Sequence, residues 1–157
     1  MAVSLLWMYL EKVFGLHDEN IDKHPVYTNL FALPAIGVYV FALLDKRRNY
    51  YNGSMSYKQG FVSGLLVTLF VTILSPLTQY ITTFLITPDY FPNAIDHAVS
   101  NGLMKRYEAE KFFSYQNYIK QGLIFAPVMG ILTSAIVAIF TRKKGFGKEE
   151  QQPAHPV

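Results

Sequence analysis

Two imidazoles and three carboxylates lie within nine residues in His17-Asp18-Glu19-Asn20-Ile21-Asp22-Lys23-His24-Pro25. Zinc and copper favour imidazole combined with carboxylate, and need three or four such ligands to converge. His97, beside Asp96, falls in the next loop expected on the same side of the chain's barrier. A metal site of His17, His24 and His97 with one carboxylate is the chemistry this set could perform. The spacing matches no defined metal motif. The plainer reading is a polar turn, with Asp or Asn capping a helix and Pro25 starting the next one.

Other residues carry weaker signals. Glu11 and Lys12 interrupt an apolar opening stretch, and ionisable groups in such a place invite a functional reading. Both lie near the end of the stretch, so a position at the membrane surface explains them as well. Thr68, Thr72, Ser75 and Gln79 recur every three or four residues, followed by Thr82 or Thr83, and so share one helix face. Gln79 cannot be satisfied cheaply in lipid and must face protein or water. This stripe reads either as a solute pathway or as hydrogen bonding between helices. Pro34, Pro76 and Pro127 each lie within an apolar block and free the carbonyls of Leu30, Thr72 and Leu123. Thr72 belongs to both sets, which marks it as the best candidate for a wet kink.

Small residues give a clearer pattern. Gly122, Ala126, Gly130, Ser134 and Ala138 fall every four residues, and Gly60 and Gly64 repeat the spacing on the preceding block. Small stripes let membrane helices approach closely. They predict a contact surface, within the chain or between copies, and say nothing of catalysis.

The elements that must position these residues are set by hydropathy. The chain has 157 residues, 51% hydrophobic and 16% charged, against about 25% charged for a soluble domain. A bilayer core requires about 20 apolar residues per helix. The blocks at 27–44, 59–87 and 119–141 meet or approach that length, and 2–16 forms a shorter first span. Asp45-Lys46-Arg47-Arg48 stops one block and Arg142-Lys143-Lys144 stops the last. Residues 1–144 therefore read as one multi-span domain, and 145–157 as a disordered cytoplasmic tail.

Short loops rich in Lys and Arg stay cytoplasmic. Lys46, Arg47, Arg48 and Lys58 place the 45–58 loop there, with both termini on the same side. The loop from 88 to 118 then faces outward. Its two amphipathic stretches, 93–99 and 104–118, predict a helical hairpin at the outer interface, where Tyr107, Tyr115 and Tyr118 suit the headgroup level. The fold class is all-α: an integral membrane helical bundle of about four transmembrane helices with an outer interfacial hairpin.

Several function classes drop out. The chain has no cysteine, so disulfides and thiolate metal sites are excluded. A net charge of +3 with no basic aromatic stripe gives no nucleic-acid partner. No phosphate loop, nucleophile–base pair or metal-hydrolase motif is present.

Five phrases carry a family resemblance: Gly15-Leu16-His17-Asp18-Glu19-Asn20-Ile21-Asp22-Lys23-His24-Pro25 with Tyr27-Thr28-Asn29-Leu30-Phe31-Ala32; Tyr57-Lys58-Gln59-Gly60-Phe61; Leu74-Ser75-Pro76-Leu77-Thr78-Gln79-Tyr80-Ile81-Thr82; Ile86-Thr87-Pro88-Asp89-Tyr90-Phe91; and Thr133-Ser134-Ala135-Ile136-Val137-Ala138-Ile139-Phe140. From about Ser4 to Lys144 the chain resembles a bacterial membrane-protein family, domain of unknown function 4199 (DUF4199). The resemblance implies a small multi-span inner-membrane protein and no reaction. Members of that family usually carry more apolar residues before the equivalent of Ser4-Leu5-Leu6-Trp7-Met8, so either this sequence starts late or its first span is short. The reading is a non-catalytic membrane protein without cofactors, in contact with the lipid bilayer and with a second copy or another membrane protein through the small-residue face. The alternatives are a small transporter or channel using the stripe, and an outer metal site or membrane enzyme.

Overall fold

The computed structural model describes residues 1–143, and the expected tail at 145–157 lies outside them. Among the described residues every regular element is helical, apart from one antiparallel bridge between Met55 and Lys143. The principal helices are α1 (Ala2–Val13), α2 (His24–Tyr27), α3 (Ala32–Asn49), α4 (Tyr57–Ile81), α5 (Tyr90–Ser100), α6 (Arg106–Phe112) and α7 (Tyr115–Thr141). Short 3-10 turns at Ile21–Lys23 and Thr28–Phe31 flank α2, and a π-helical turn, Thr82–Ile86, extends α4.

Three helical stretches are long and apolar enough to cross a membrane: Ile21–Asn49, Tyr57–Ile86 and Tyr115–Thr141. Only 11% of the first hydrophobic window and 22% of each of the other two is buried within the chain. Side chains such as Phe41, Phe70, Ile124 and Phe140 point away from the protein. An exposed apolar surface of this extent needs lipid around it. The chain is therefore an integral membrane protein in contact with the bilayer.

The short first span expected at 2–16 corresponds to α1. It forms a helix of 12 residues, about 18 Å long at 1.5 Å per residue, too short to cross a core of about 30 Å. Gly15, at φ +69°, then reverses the chain. Such a φ is open to glycine at little cost. The helix α1 lies beside one half of α4, with Met1 sharing a small cavity with Val71 and Leu74 and Lys12 Nζ donating to the Ile86 carbonyl at 2.5 Å.

The bundle is held by α4 against α7, with α3 packed on both. A Cβ added at Gly64 would lie 2.6 Å from Ser134 Cβ, and one at Gly60 would lie 3.3 Å from Ala138 Cβ. One at Gly130 would strike Thr68. These glycines and their partners are the close-approach surface, and the small-residue stripe is closed inside the chain. Gly122 faces only Ser75, at a looser 3.8 Å, and Ala126 is half-buried.

At the basic end, a core of Tyr39, Leu43, Met55, Val137 and Ala138 closes the bundle. Asn52 (φ +50°) and Gly53 (φ +85°) make the turn between α3 and α4. Ser56 and Gln59 form a capping box that starts α4. Arg47 Nη1 donates to the Thr141 carbonyl at 2.8 Å, covering the end of α7. At the other end, α5 and α6 make a hairpin tied by the exposed Arg106–Asp96 ion pair, with Arg106 also paired to Glu110 within α6. The expected helix at 104–118 divides in two, because Ser114 breaks it and caps α7 by accepting from the Asn117 N–H.

Two of the three prolines differ from a simple kink. Pro34 sits in the first turn of α3, directly after the 3-10 turn at Thr28–Phe31. Pro76 frees the Thr72 carbonyl, and Ser75 Oγ donates to that oxygen at 2.9 Å. The freed group is thereby satisfied within α4.

Candidate functional site

The mixed polar stretch divides by side chain. Asp18, Glu19 and Asp22 are exposed, whereas His17 is buried and His24 nearly so. Both imidazoles turn inward onto Glu11, which is 2% exposed. Gly15 makes this possible, because the reversal after α1 brings His17 back over the last turn of that helix. The Leu16 N–H bonds to the Glu11 carbonyl at 2.9 Å and fixes the reversal.

Glu11 Oε1 accepts from the indole N–H of Trp7 at 2.6 Å. That leaves Oε2 to the histidines: His17 Nε2 lies 3.3 Å away and His24 Nε2 lies 3.5 Å away. The His17 contact has hydrogen-bond geometry. The His24 contact is close enough for an ion pair but not aligned as a hydrogen bond, and a poorly aligned N–H contributes little. His24 Nε2 is buried without another partner, as is His17 Nδ1. One candidate ligand atom from each of Glu11, His17 and His24 lies within 4.8 Å of the others.

The surroundings hold this group. The Tyr90 ring packs on both imidazoles, with centroids 5.0 Å from His17 and 5.1 Å from His24. Its hydroxyl lies 3.2 Å from that of Tyr118. Asn93 Nδ2 donates to the His17 carbonyl at 2.9 Å and ties the segment to α5. Burial pushes the Glu11 carboxyl up, but the contacts of His17, His24 and Trp7 outweigh it and hold it at about 2. Burial pushes the Tyr90 phenol up, with Tyr118 and Glu11 adding to the effect.

His97 takes no part. The cluster comprises Glu11, His17 and His24, so Glu11 stands where the sequence pattern suggests His97. The neighbouring Asp96 is engaged by Arg106 at 3.1 Å. The signal for Glu11 is a carboxylate in an apolar helix, four residues after the lone tryptophan and four before Gly15.

A cavity of about 390 Å³ adjoins the cluster and shares His24 and Tyr90 with it. Gln79, Thr82, Thr83 and Gln121 contribute to its wall. Thr82 and Thr83 belong to the π-helical turn, and such turns often occur at functional sites. Gln79 Nε2 donates to Thr83 Oγ1 at 2.9 Å.

The polar stripe therefore has two halves. Toward the hairpin, Gln79 faces the cavity. Toward the basic end, Thr68 Oγ1 bonds to the Gly64 carbonyl and to Tyr39 OH, each at 3.0 Å, and lies 3.4 Å from Ser134 Oγ. Thr68 makes an interhelical bond and closes the bundle at that level. Between these halves Thr72 Oγ1 is buried and unpartnered, while Ser75 bonds within its own helix.

Three apolar helices packed through small residues, with a buried polar cluster at one end, define a polytopic helical membrane protein. Residues 1–143 match the family described as a protein of unknown function (DUF4199), and the chain belongs to it. No curated protein and no solved structure matches the chain.

Proposed function

We propose that this chain is a non-catalytic, accessory membrane protein that binds a small polar ligand in the cavity at the hairpin end. The observation that supports this is the wall of that cavity, where His24, Gln79, Thr82, Thr83 and Gln121 present polar side chains. Its volume, about 390 Å³, lies within the roughly 300–1,000 Å³ range of small-molecule sites. Polar groups at the depth of a hydrocarbon core are costly unless they meet protein, water or ligand.

The hairpin end faces away from the cytoplasm in this reading, because Lys46, Arg47, Arg48 and Lys58 cluster at the other end. The membrane is the bacterial inner membrane. Access is one-sided, since the Tyr39–Thr68–Ser134 contacts close the bundle beneath the cavity. A binding site agrees with that better than a channel does. A partner protein or second copy would sit on the lipid-facing sides, since the small-residue face is occupied within the chain.

The test is thermal unfolding of the full chain in lipid nanodiscs with glycine, glucose, glycerol and inorganic phosphate as separate probes. One probe is expected to raise the transition of the wild type and to have no effect on Gln79→Leu. No shift with any probe, or equal shifts in the variant, would end this reading. Permeation of liposomes by the same probes would replace it with a transport function.

A further inference from the structure

The buried cluster beside the cavity has a composition and spacing that a plain ion pair does not explain. Glu11 Oε2 faces two imidazoles, yet hydrogen-bonds only to His17. His24 Nε2 is held 3.5 Å from the same oxygen, buried and without any hydrogen bond. A buried polar atom left without a bond loses its water and gains nothing in return. A cation among the three residues removes the cost, because it takes a lone pair from each.

The distances agree. With metal–ligand bonds of about 2.0–2.1 Å and tetrahedral angles, two zinc ligands stand about 3.3 Å apart. The observed separations from Glu11 Oε2 are 3.3 Å to His17 Nε2 and 3.5 Å to His24 Nε2. Two imidazoles with one carboxylate are also a donor set used for zinc with an open fourth position. Calcium and magnesium need more oxygen ligands than this group offers.

The supports are in place around it. Trp7 holds Glu11 Oε1 at 2.6 Å, which aims Oε2 at the histidines. Asn93 fixes the His17 backbone. Such outer contacts orient the ligands of a metal. His24 also lines the cavity, which gives an ion a way in. The second buried orphan, His17 Nδ1, is not accounted for by the ion.

We propose that Glu11, His17 and His24 bind one first-row divalent cation, zinc foremost, at the wall of the cavity that His24 and Tyr90 line. The ion joins α1 to the His17–His24 segment and leaves a coordination position for water or an oxygen of a bound ligand.

The full chain, purified in detergent and stripped with a chelator, is titrated with zinc ions alone, and bound metal is measured by mass spectrometry. One equivalent is expected. Glu11→Gln and His24→Ala should each weaken binding about tenfold or more, given that even outer-shell changes cost about 10–100-fold. His97→Ala combined with His155→Ala, which removes the other two imidazoles of the chain, should leave it unchanged. Absence of bound zinc, or full binding in His24→Ala, overturns the proposal. If Glu11→Gln fails to fold, cobalt titration of the wild type decides. Intense visible bands of a four-coordinate ion support the site, and a weak octahedral spectrum overturns it. Gln79→Leu, which tests the cavity's ligand, should keep its zinc, so the two readings fail separately.

Discussion

The hydroxyl of Tyr39 lies 3.0 Å from Thr68 Oγ1, joining α3 to α4 at a point where Ser134 of α7 also arrives. Three membrane helices meet through side-chain hydroxyls. Bonds between membrane helices average about 0.6 kcal/mol in coupling, with a maximum near 1.7. A double-mutant cycle of Tyr39→Phe and Thr68→Val should therefore give a coupling of about 0.6–1.7 kcal/mol, read from reversible unfolding in detergent. Additive losses would mean that the hydroxyls are not paired.

Glycine substitutions should separate two kinds of position. Gly64→Ala drives a Cβ to 2.6 Å from that of Ser134, whose own Cα is only 3.1 Å away, so backbone must move. Overpacking of this kind costs about 1–3 kcal/mol. Gly37, also in a membrane helix, has nothing within 4 Å of an added Cβ. Gly37→Ala should be neutral or stabilising by up to about 1 kcal/mol. Thermal unfolding of both variants checks the contrast, and equal losses would contradict it.

The lone tryptophan reports on the buried carboxylate. Trp7 donates to Glu11 Oε1 at 2.6 Å. Excitation of an indole moves electron density away from its nitrogen-bearing ring, and a nearby carboxylate stabilises that state. Glu11→Gln should move the emission to shorter wavelength, and an unchanged spectrum would rule out the contact. Glu11→Ala should destabilise the fold by about 1–3 kcal/mol, the usual cost of leaving a buried hydrogen-bonding group, here the Trp7 indole N–H, without its partner.

The start of α4 depends on a reciprocal cap. Ser56 Oγ accepts from the Gln59 N–H, and Gln59 Oε1 accepts from the Ser56 N–H at 2.8 Å. Ser56→Ala should cost about 1 kcal/mol, within the roughly 0.5–2 kcal/mol range for lost caps. The measurement is chemical unfolding, with Ser54→Ala as the comparison.

The membrane helices are legible in the sequence because their apolar blocks run uninterrupted, and the stripe through Gly130, Ser134 and Ala138 is legible as a surface of close approach. The pattern leaves its partner open, and the close contacts at Gly60 and Gly64 place that partner in the same chain. The first helix reads as a span because apolar residues flank Glu11-Lys12, although 12 helical residues cannot reach across. The boundary near 115 is hidden by the continuous aromatic content of Phe112, Phe113, Tyr115 and Tyr118, and only Ser114 marks it.

The buried cluster is half legible. His17 and His24 stand out by type, while Glu11 lies six residues before one and thirteen before the other. Taken together, those intervals fit neither one helix face nor one strand face. The three become neighbours only through the reversal at Gly15, a single backbone conformation that hydropathy does not record. His97 matches by type alone, and α5 gives its neighbour Asp96 to Arg106 instead.

The contact between Lys12 and the Ile86 carbonyl spans 74 residues, and synthesis is directional. At about 5–20 residues per second, the ammonium of α1 exists for roughly 4–15 seconds before its acceptor has been made. During that interval the first helix cannot dock in its final place. Its seat is built from residues made later, so α1 docks only after α4 and its π-helical turn exist.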